Sequence, residues 1–242
     1  MRVAVLSDVH SNLAALEAVL AAVDAEAPDE LWCLGDLVGY GPRPNECCAE
    51  VAARASICLA GNHDLAVRGT IDLFEFSGDA NAAAAWTREV LDGEAQAFLE
   101  RLEPQGEAHR VALYHGSARD PVWEYVLSDE AAEATIERSG RPLVLVGHSH
   151  AALVAAERNG GLSGGLAPAG TELDLAEGRV LLNPGSVGQP RDGDPRAAWL
   201  LLDLEARTAS FRRADYDIPR TQREIRDLGL PEALAARLAS GQ

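Results

Sequence analysis

Five of the six histidines in this 242-residue chain fall in short polar clusters, each just after an apolar run. Asp8 and His10 follow residues 2–7, and Asp36 follows 31–34. Asn62 and His63 follow 56–59, His115 follows 109–114, and His148 with His150 follows 142–146. Only His109 stands apart. Carboxylate, imidazole and amide groups together suit Mn²⁺, Fe, Zn²⁺ or Co²⁺. No thiolate joins them, which argues against a closed structural zinc site. Asp8 and His10, two apart on an extended segment, are expected to point the same way and grip one ion; His148 and His150 repeat the device. Asp36 follows Gly35, which permits a tight turn, and its two oxygens suit it to bridging two ions. Asn62 and His63 are neighbours and are expected to face apart, one toward metal and one toward substrate.

Residues this far apart in sequence meet only if the apolar runs lie side by side. The pattern supplies that arrangement. Residues 2–7 and 31–34 read as strands, separated by apolar positions at helical spacing over 12–26, with Ser11 or Asn12 as the cap. This is a βαβ unit, whose strands run parallel. Further helices are expected at 45–54, at 79–102 with a break near Asp92-Gly93, and at 128–139 capped by Ser128. Strands are expected at 56–59, 109–114 and 142–146. In open α/β sheets, sites lie beyond the carboxyl ends of the strands, so the clusters converge. After residue 150 the pattern changes. Runs of β-formers at 152–158, 171–175, 179–182, 197–204 and 208–214 read as an antiparallel sheet, with 159–170 as a flexible loop. Two short helices over 219–239 split at Gly229-Leu230-Pro231. The expected architecture is α/β (α+β): two packed sheets flanked by helices in one domain over 1–242, with the C-terminal helices as an appendage.

Composition narrows the partners. Hydrophobic residues make up 47% and charged residues 24%, an ordinary globular balance. The net charge of -17 repels nucleic-acid backbones and anionic membranes at long range, so neither long nucleic acid nor a membrane is an expected partner. An anionic substrate must meet local positive charge, which bound divalent metals would supply. The apolar start is too short for a signal peptide or a membrane span, and a cytoplasmic location is expected by default. Cys33, Cys47, Cys48 and Cys58 show no metal-binding spacing and read as free thiols.

Taken in order, Asp8-Val9-His10, Gly35-Asp36, Gly61-Asn62-His63-Asp64, His115-Gly116 and Gly147-His148-Ser149-His150 resemble the motif series of the calcineurin-like metallophosphoesterase superfamily. The segment from Asn183 to Arg191 is similar to a later loop of its small single-domain phosphodiesterase branch in bacteria and archaea. The resemblance covers the chain to about residue 215 and implies a four-layer αββα sandwich of two mixed β-sheets with a two-metal site. By family roles, Asp8, His10 and His150 hold one ion; Asp36 bridges; Asn62, His115 and His148 hold the other. His63 is implied to act as general acid or to steady the phosphate. Mn²⁺ leads, with Fe, Zn²⁺, Co²⁺, Ni²⁺ or Mg²⁺ as alternatives.

The expected reaction is phosphoester hydrolysis. Two ions about 3.5–4 Å apart lower the pKa of a bridging water, and the resulting hydroxide attacks phosphorus in line. Arg191 and Arg43 are candidates for phosphate contact, Trp123 and Tyr125 for a substrate wall. Small phosphodiesters or nucleotides are the expected substrates. The alternatives are a phosphomonoesterase or protein phosphatase, a dinucleoside polyphosphate hydrolase, and a non-catalytic protein-binding scaffold of the same fold. Further copies of the chain, in a homo-oligomer, stand as an open alternative beside the small substrate.

Overall fold

Val3, Ala4, Val5 and Leu6 are all fully buried, so the first strand is covered on both faces and must lie inside the molecule. The structure, a computed structural model, describes residues 1–158 and 160–242. In chain order the first half comprises β1 (Arg2–Leu6), α1 (Leu13–Glu26), β2 (Glu30–Cys33), α2 (Pro44–Arg54), β3 (Ile57–Cys58), α3 (Asn62–Val67), α4 (Gly78–Val90), α5 (Gly93–Leu99), β4 (Gln105–Ala108), β5 (Val111–Tyr114), α6 (Asp129–Ser139) and β6 (Leu143–Leu145). The second half adds β7 (Ala152–Arg158), β8 (Gly161–Leu166), β9 (Glu172–Asp174), β10 (Arg179–Pro184), β11 (Ala197–Asp203), β12 (Thr208–Ala214), α7 (Ile218–Asp227) and α8 (Glu232–Ala236).

Two six-stranded mixed sheets result, ordered β3-β2-β1-β11-β12-β9 and β4-β5-β6-β10-β7-β8. Strand β1 runs parallel to β2 and antiparallel to β11, so it joins the two halves of the chain. Strand β10 does the same in the second sheet, parallel to β6 and antiparallel to β7. The side-chain period of two then builds four layers. Val3, Val5, Leu200 and Leu202 face Leu113, Leu145 and Leu182 across the gap between the sheets. Their neighbours Ala4, Leu6 and Leu201 face the other way, onto Leu16, Val19 and Leu20 of α1. On the far side Ala112, Val144 and Leu181 meet Ala132 and Ile136 of α6. This is the αββα arrangement expected from the motif series.

Two local expectations are corrected, and one strand was not foreseen. The five later β-runs do form strands, but not one antiparallel sheet: β7 and β10 enter one sheet, while β9, β11 and β12 enter the other. Within 159–170, expected as a flexible loop, residues Gly161–Leu166 pair antiparallel with β7. Gly164 lies so close to that strand that a Cβ would stand 2.3 Å from the Val154 carbonyl, so backbone pairing replaces side-chain packing here. Asn159 lies outside the described residues. Strand β4 escaped notice because Gln105–Ala108 is an edge strand without an apolar face.

The remaining elements serve the site. Asn12 caps α1 by accepting from the Ala15 N–H at 3.3 Å. Its carboxamide oxygen also accepts the Thr221 hydroxyl of α7 at 2.9 Å. The two C-terminal helices pack through Ile225 and Leu234, with Leu238 in the turn that follows, against Ala83 of α4. Among the described residues, no helix is long and apolar enough to cross a membrane.

Candidate metal centre

The polar clusters sit at the carboxyl ends of β1, β2, β3, β5 and β6, and the sheets bring them together. The local backbone is not extended, as the two-apart spacing had suggested. Asp8, His10, Asp36, His148 and His150 have φ of 54°, 48°, 53°, 63° and 58°, all in the left-handed region that non-glycine residues avoid. Such strain persists only where the surroundings over-determine it. Here the β1 loop is zipped to the β2 loop: the Asp8, His10 and Ser11 amides donate to Gly35, Asp36 and Leu37 carbonyls at 3.0, 2.9 and 2.8 Å.

Two groups of donor atoms emerge, each with its atoms within 4.8 Å of one another: Asp8, His10, Asp36 and His150, and then Asp36, His115 and His148. All six residues are buried, and Asp36 belongs to both groups. His148 and His150 therefore split between the groups, correcting the reading that they grip one ion together. The Asn62 side-chain oxygen lies 3.3 Å from His115 Nε2, beside the second group.

The imidazole tautomers follow from their partners. His10 Nδ1 lies 3.1 Å from the Val38 carbonyl, His115 Nδ1 2.9 Å from Leu34 and His150 Nδ1 2.7 Å from Gln189. A carbonyl only accepts, so each Nδ1 carries a hydrogen and each Nε2 is turned inward, with a lone pair to offer when it carries no proton. His148 is reversed: Nε2 donates to the Trp123 carbonyl at 3.2 Å, leaving Nδ1 inward. The inward nitrogens crowd together, His10 against His150 at 3.0 Å and His115 against His148 at 3.2 Å. Asp8 Oδ1 and Asp36 Oδ2 are buried without a hydrogen-bond partner among the described residues. Converging lone pairs and orphaned carboxylate oxygens are what a divalent cation requires, so these residues fit the metals that the motif series implies.

Ionisation agrees. Burial pushes His10 and His150 well below the usual imidazole range, and His148 down to about 3. Burial opposes the Asp36 charge, but His115 and His63 outweigh it and hold the carboxyl well below its ordinary value. Burial raises Asp8 to about 7. His115 is the exception: burial works against its charge, yet Asp36 raises it to about 9. A cation on Nε2 would replace that proton.

His63, at the start of α3, faces a cavity of about 270 Å³ above the two groups. Its ring packs 4.4 Å from Tyr40, 4.8 Å from Phe76 and 4.9 Å from His10, and its buried Nδ1 has no partner among the described residues. Burial lowers it to about 4, so the ring is neutral at neutral pH. Arg191, Trp123 and Tyr125 also line this cavity, in keeping with the sequence reading. Arg191 reaches the Gln189 side chain at 2.8 Å and the Tyr40 hydroxyl at 3.4 Å.

Arg43 is a correction. Its guanidinium is tied to Glu224 at 3.0 Å and to Glu46 at 3.4 Å, and it does not line the cavity. Proximity to Asp36 in sequence did not become proximity in space, because two carboxylates on helices hold it outside.

Sequence reasoning gave Asp64 no settled role. Its Oδ1 accepts the Leu37 and Val38 amides at 2.9 and 3.1 Å, and its Oδ2 accepts the Gly61 amide at 2.9 Å. It thus staples the Asp36 loop to the start of α3. Tyr40, Glu75, Phe76 and Ser77 on the cavity wall were also missed, since an isolated residue on an irregular loop carries no periodicity. A larger cavity, about 450 Å³ around His109, Arg110 and Arg207, contains none of the clustered donors.

Comparison with known proteins follows the same lines. The model of the calcineurin-like phosphoesterase superfamily domain matches residues 1–207. An uncharacterized protein of Methanocaldococcus jannaschii is 36% identical over 253 aligned positions, covering 99% of this chain and 98% of its own. The crystal structure of a metallophosphoesterase from Sphaerobacter thermophilus superposes with a TM-score of 0.91 at 41% identity, covering 100% of this chain and 99% of that one. A hypothetical protein from Pyrococcus horikoshii shares the fold, with a TM-score of 0.81 at 22% identity over 100% and 98% of the two chains.

Gly61 offers a test of the geometry. A Cβ there would stand 1.9 Å from Asp36 Oδ1 and 2.5 Å from the Asp36 amide. Gly61→Ala should leave the chain folded by circular dichroism but cut bound metal, measured by elemental analysis, at least about tenfold, as when a ligand's supporting contacts are lost. Full occupancy in that variant would show that Asp36 does not need its present position.

Proposed function

The chain belongs to the calcineurin-like phosphoesterase superfamily, and on that premise we propose that it is a dinuclear metal-dependent phosphodiesterase acting on small phosphodiesters or nucleotides. The observation that carries this reading is the sharing of Asp36 between two buried donor groups at the floor of one cavity. Asp8, His10, Asp36 and His150 would hold one cation. Asp36, Asn62, His115 and His148 would hold the other, with Mn²⁺ the leading candidate for both. When bound, such cations supply positive charge to phosphoryl oxygens and acidify water.

The chain's own residues do the rest. His63 faces the cavity with a neutral ring, and one N–H is enough to hold a phosphoryl or leaving oxygen. Its orientation is fixed by Tyr40 and Phe76 on either side, and by Gly39, where a Cβ would stand 2.4 Å from His63 Nδ1. Arg191, which lines the same cavity, would give a phosphoryl oxygen a charge-assisted contact. The limited volume and the net charge of -17 favour a small substrate over a long polynucleotide.

Metal-stripped protein resupplied with Mn²⁺ should hydrolyse bis-p-nitrophenyl phosphate faster than p-nitrophenyl phosphate. Preference for the monoester would move the assignment to a phosphatase, and no turnover of either despite bound metal would refute it. His63→Ala should keep both metals and lose about 10²-fold or more in turnover, most on alkyl leaving groups. Unchanged turnover of an alkyl diester by that variant would remove His63 from the reaction.

A further inference from the structure

Three aromatic rings, Phe76, Trp123 and Tyr125, line the cavity that holds His148, where metal chemistry has no use for them. The Tyr125 ring stacks flat on His148, with centroids 4.1 Å apart and planes 5° apart. Trp123 and Phe76 meet at 5.4 Å, tilted by 56°. They come from two unrelated loops, yet all three line the same cavity. Trp123 and Tyr125 nevertheless remain 37% and 47% exposed, so each ring keeps open surface beyond these contacts.

These rings are held in place. The Asp120 carboxylate accepts the Val122 and Trp123 amides, each at 3.0 Å, and the Trp123 carbonyl accepts the His148 N–H at 3.2 Å. The backbone that presents the indole is thus fixed to a residue of the metal group. Another part of the lining differs in kind: Arg191 lies 5.8 Å over the Tyr40 ring and offers charge. The cavity lining therefore includes a cationic part at Arg191 and an aromatic part at Phe76, Trp123 and Tyr125. Its volume of about 270 Å³ lies just below the usual range for ligand pockets, room for one ring system with its phosphate and not for a chain.

We propose that the aromatic wall receives a nucleobase, so that the substrates are nucleoside phosphates and Trp123 is a residue that sets specificity. Flat π-faces that are rigid and partly exposed accept any base, because every base has a π-face. The inference rests on the proposed function and narrows its substrate class. It does not depend on turnover, since the base must add affinity whether or not the phosphate is cleaved.

The test compares two ligands that differ only in the base. Isothermal titration calorimetry of Mn²⁺-loaded protein should show AMP binding roughly tenfold tighter than ribose 5-phosphate. Trp123→Ala should erase that gap while leaving ribose 5-phosphate affinity and metal content unchanged, and Trp123→Phe should keep most of it. Equal affinities in the unaltered protein, or no binding of either ligand, would overturn the proposal. So would a Trp123→Ala variant that weakens both ligands alike. Failure to hydrolyse bis-p-nitrophenyl phosphate would count instead against the phosphodiesterase reading, leaving this comparison to be judged by itself.

Discussion

The position of one carboxylate oxygen governs the rest of the molecule. Asp36 Oδ2 lies 3.5 Å from His10 Nε2 and 3.5 Å from His115 Nε2, midway between two sets of donors drawn from five strand ends. Its other oxygen accepts the His63 amide at 2.9 Å, so the group cannot rotate without breaking that bond. Everything nearby keeps it there. Asp64 grips the two amides that follow it, Gly61 leaves the space it fills, and Gly35, with φ of 97°, makes the turn that delivers it. The left-handed backbone at Asp8, His10, His148 and His150 is the same constraint seen from the other loops.

Electrostatics explains why such a site demands cations. Asp8, Asp36 and Asp64 are all fully or almost fully buried, in a chain that already carries a net charge of -17. A buried carboxylate is costly unless paired, and like charges close together compound the cost. The raised Asp8 and the raised His115 are the protein's own partial answer. Divalent cations would answer it more fully, and they would also supply local positive charge for an anionic ester on an acidic protein. Arg191 adds to that charge from the wall; Arg43, neutralised by Glu224 and Glu46, does not.

Much of this was legible in the sequence because it depends on order along the chain. Apolar runs ending in Asp8, Asp36, Asn62, His115 and His148 give strands whose carboxyl ends must meet, and the gathering of these donors in one place follows from that convergence. The sequence was silent where packing or a distant partner decides. Nothing local tells that β10 pairs with β6 as well as with β7, or that Gly161–Leu166 finds an edge at β7. The φ values of the donors were misread because extended spacing and a left-handed turn can present the same two side chains. Arg43 was misplaced for a similar reason: Glu224 lies 181 positions away in sequence and yet holds it.

The shared carboxylate makes the sharpest demand on experiment. Metal-stripped protein titrated with Mn²⁺ in a calorimeter should bind two ions per chain, one for each donor group. Asp36→Asn should weaken both sites together, since Asp36 Oδ2 lies 3.5 Å from a donor of each group. A single ion per chain, or an Asp36→Asn variant that loses one site and keeps the other intact, would contradict the account.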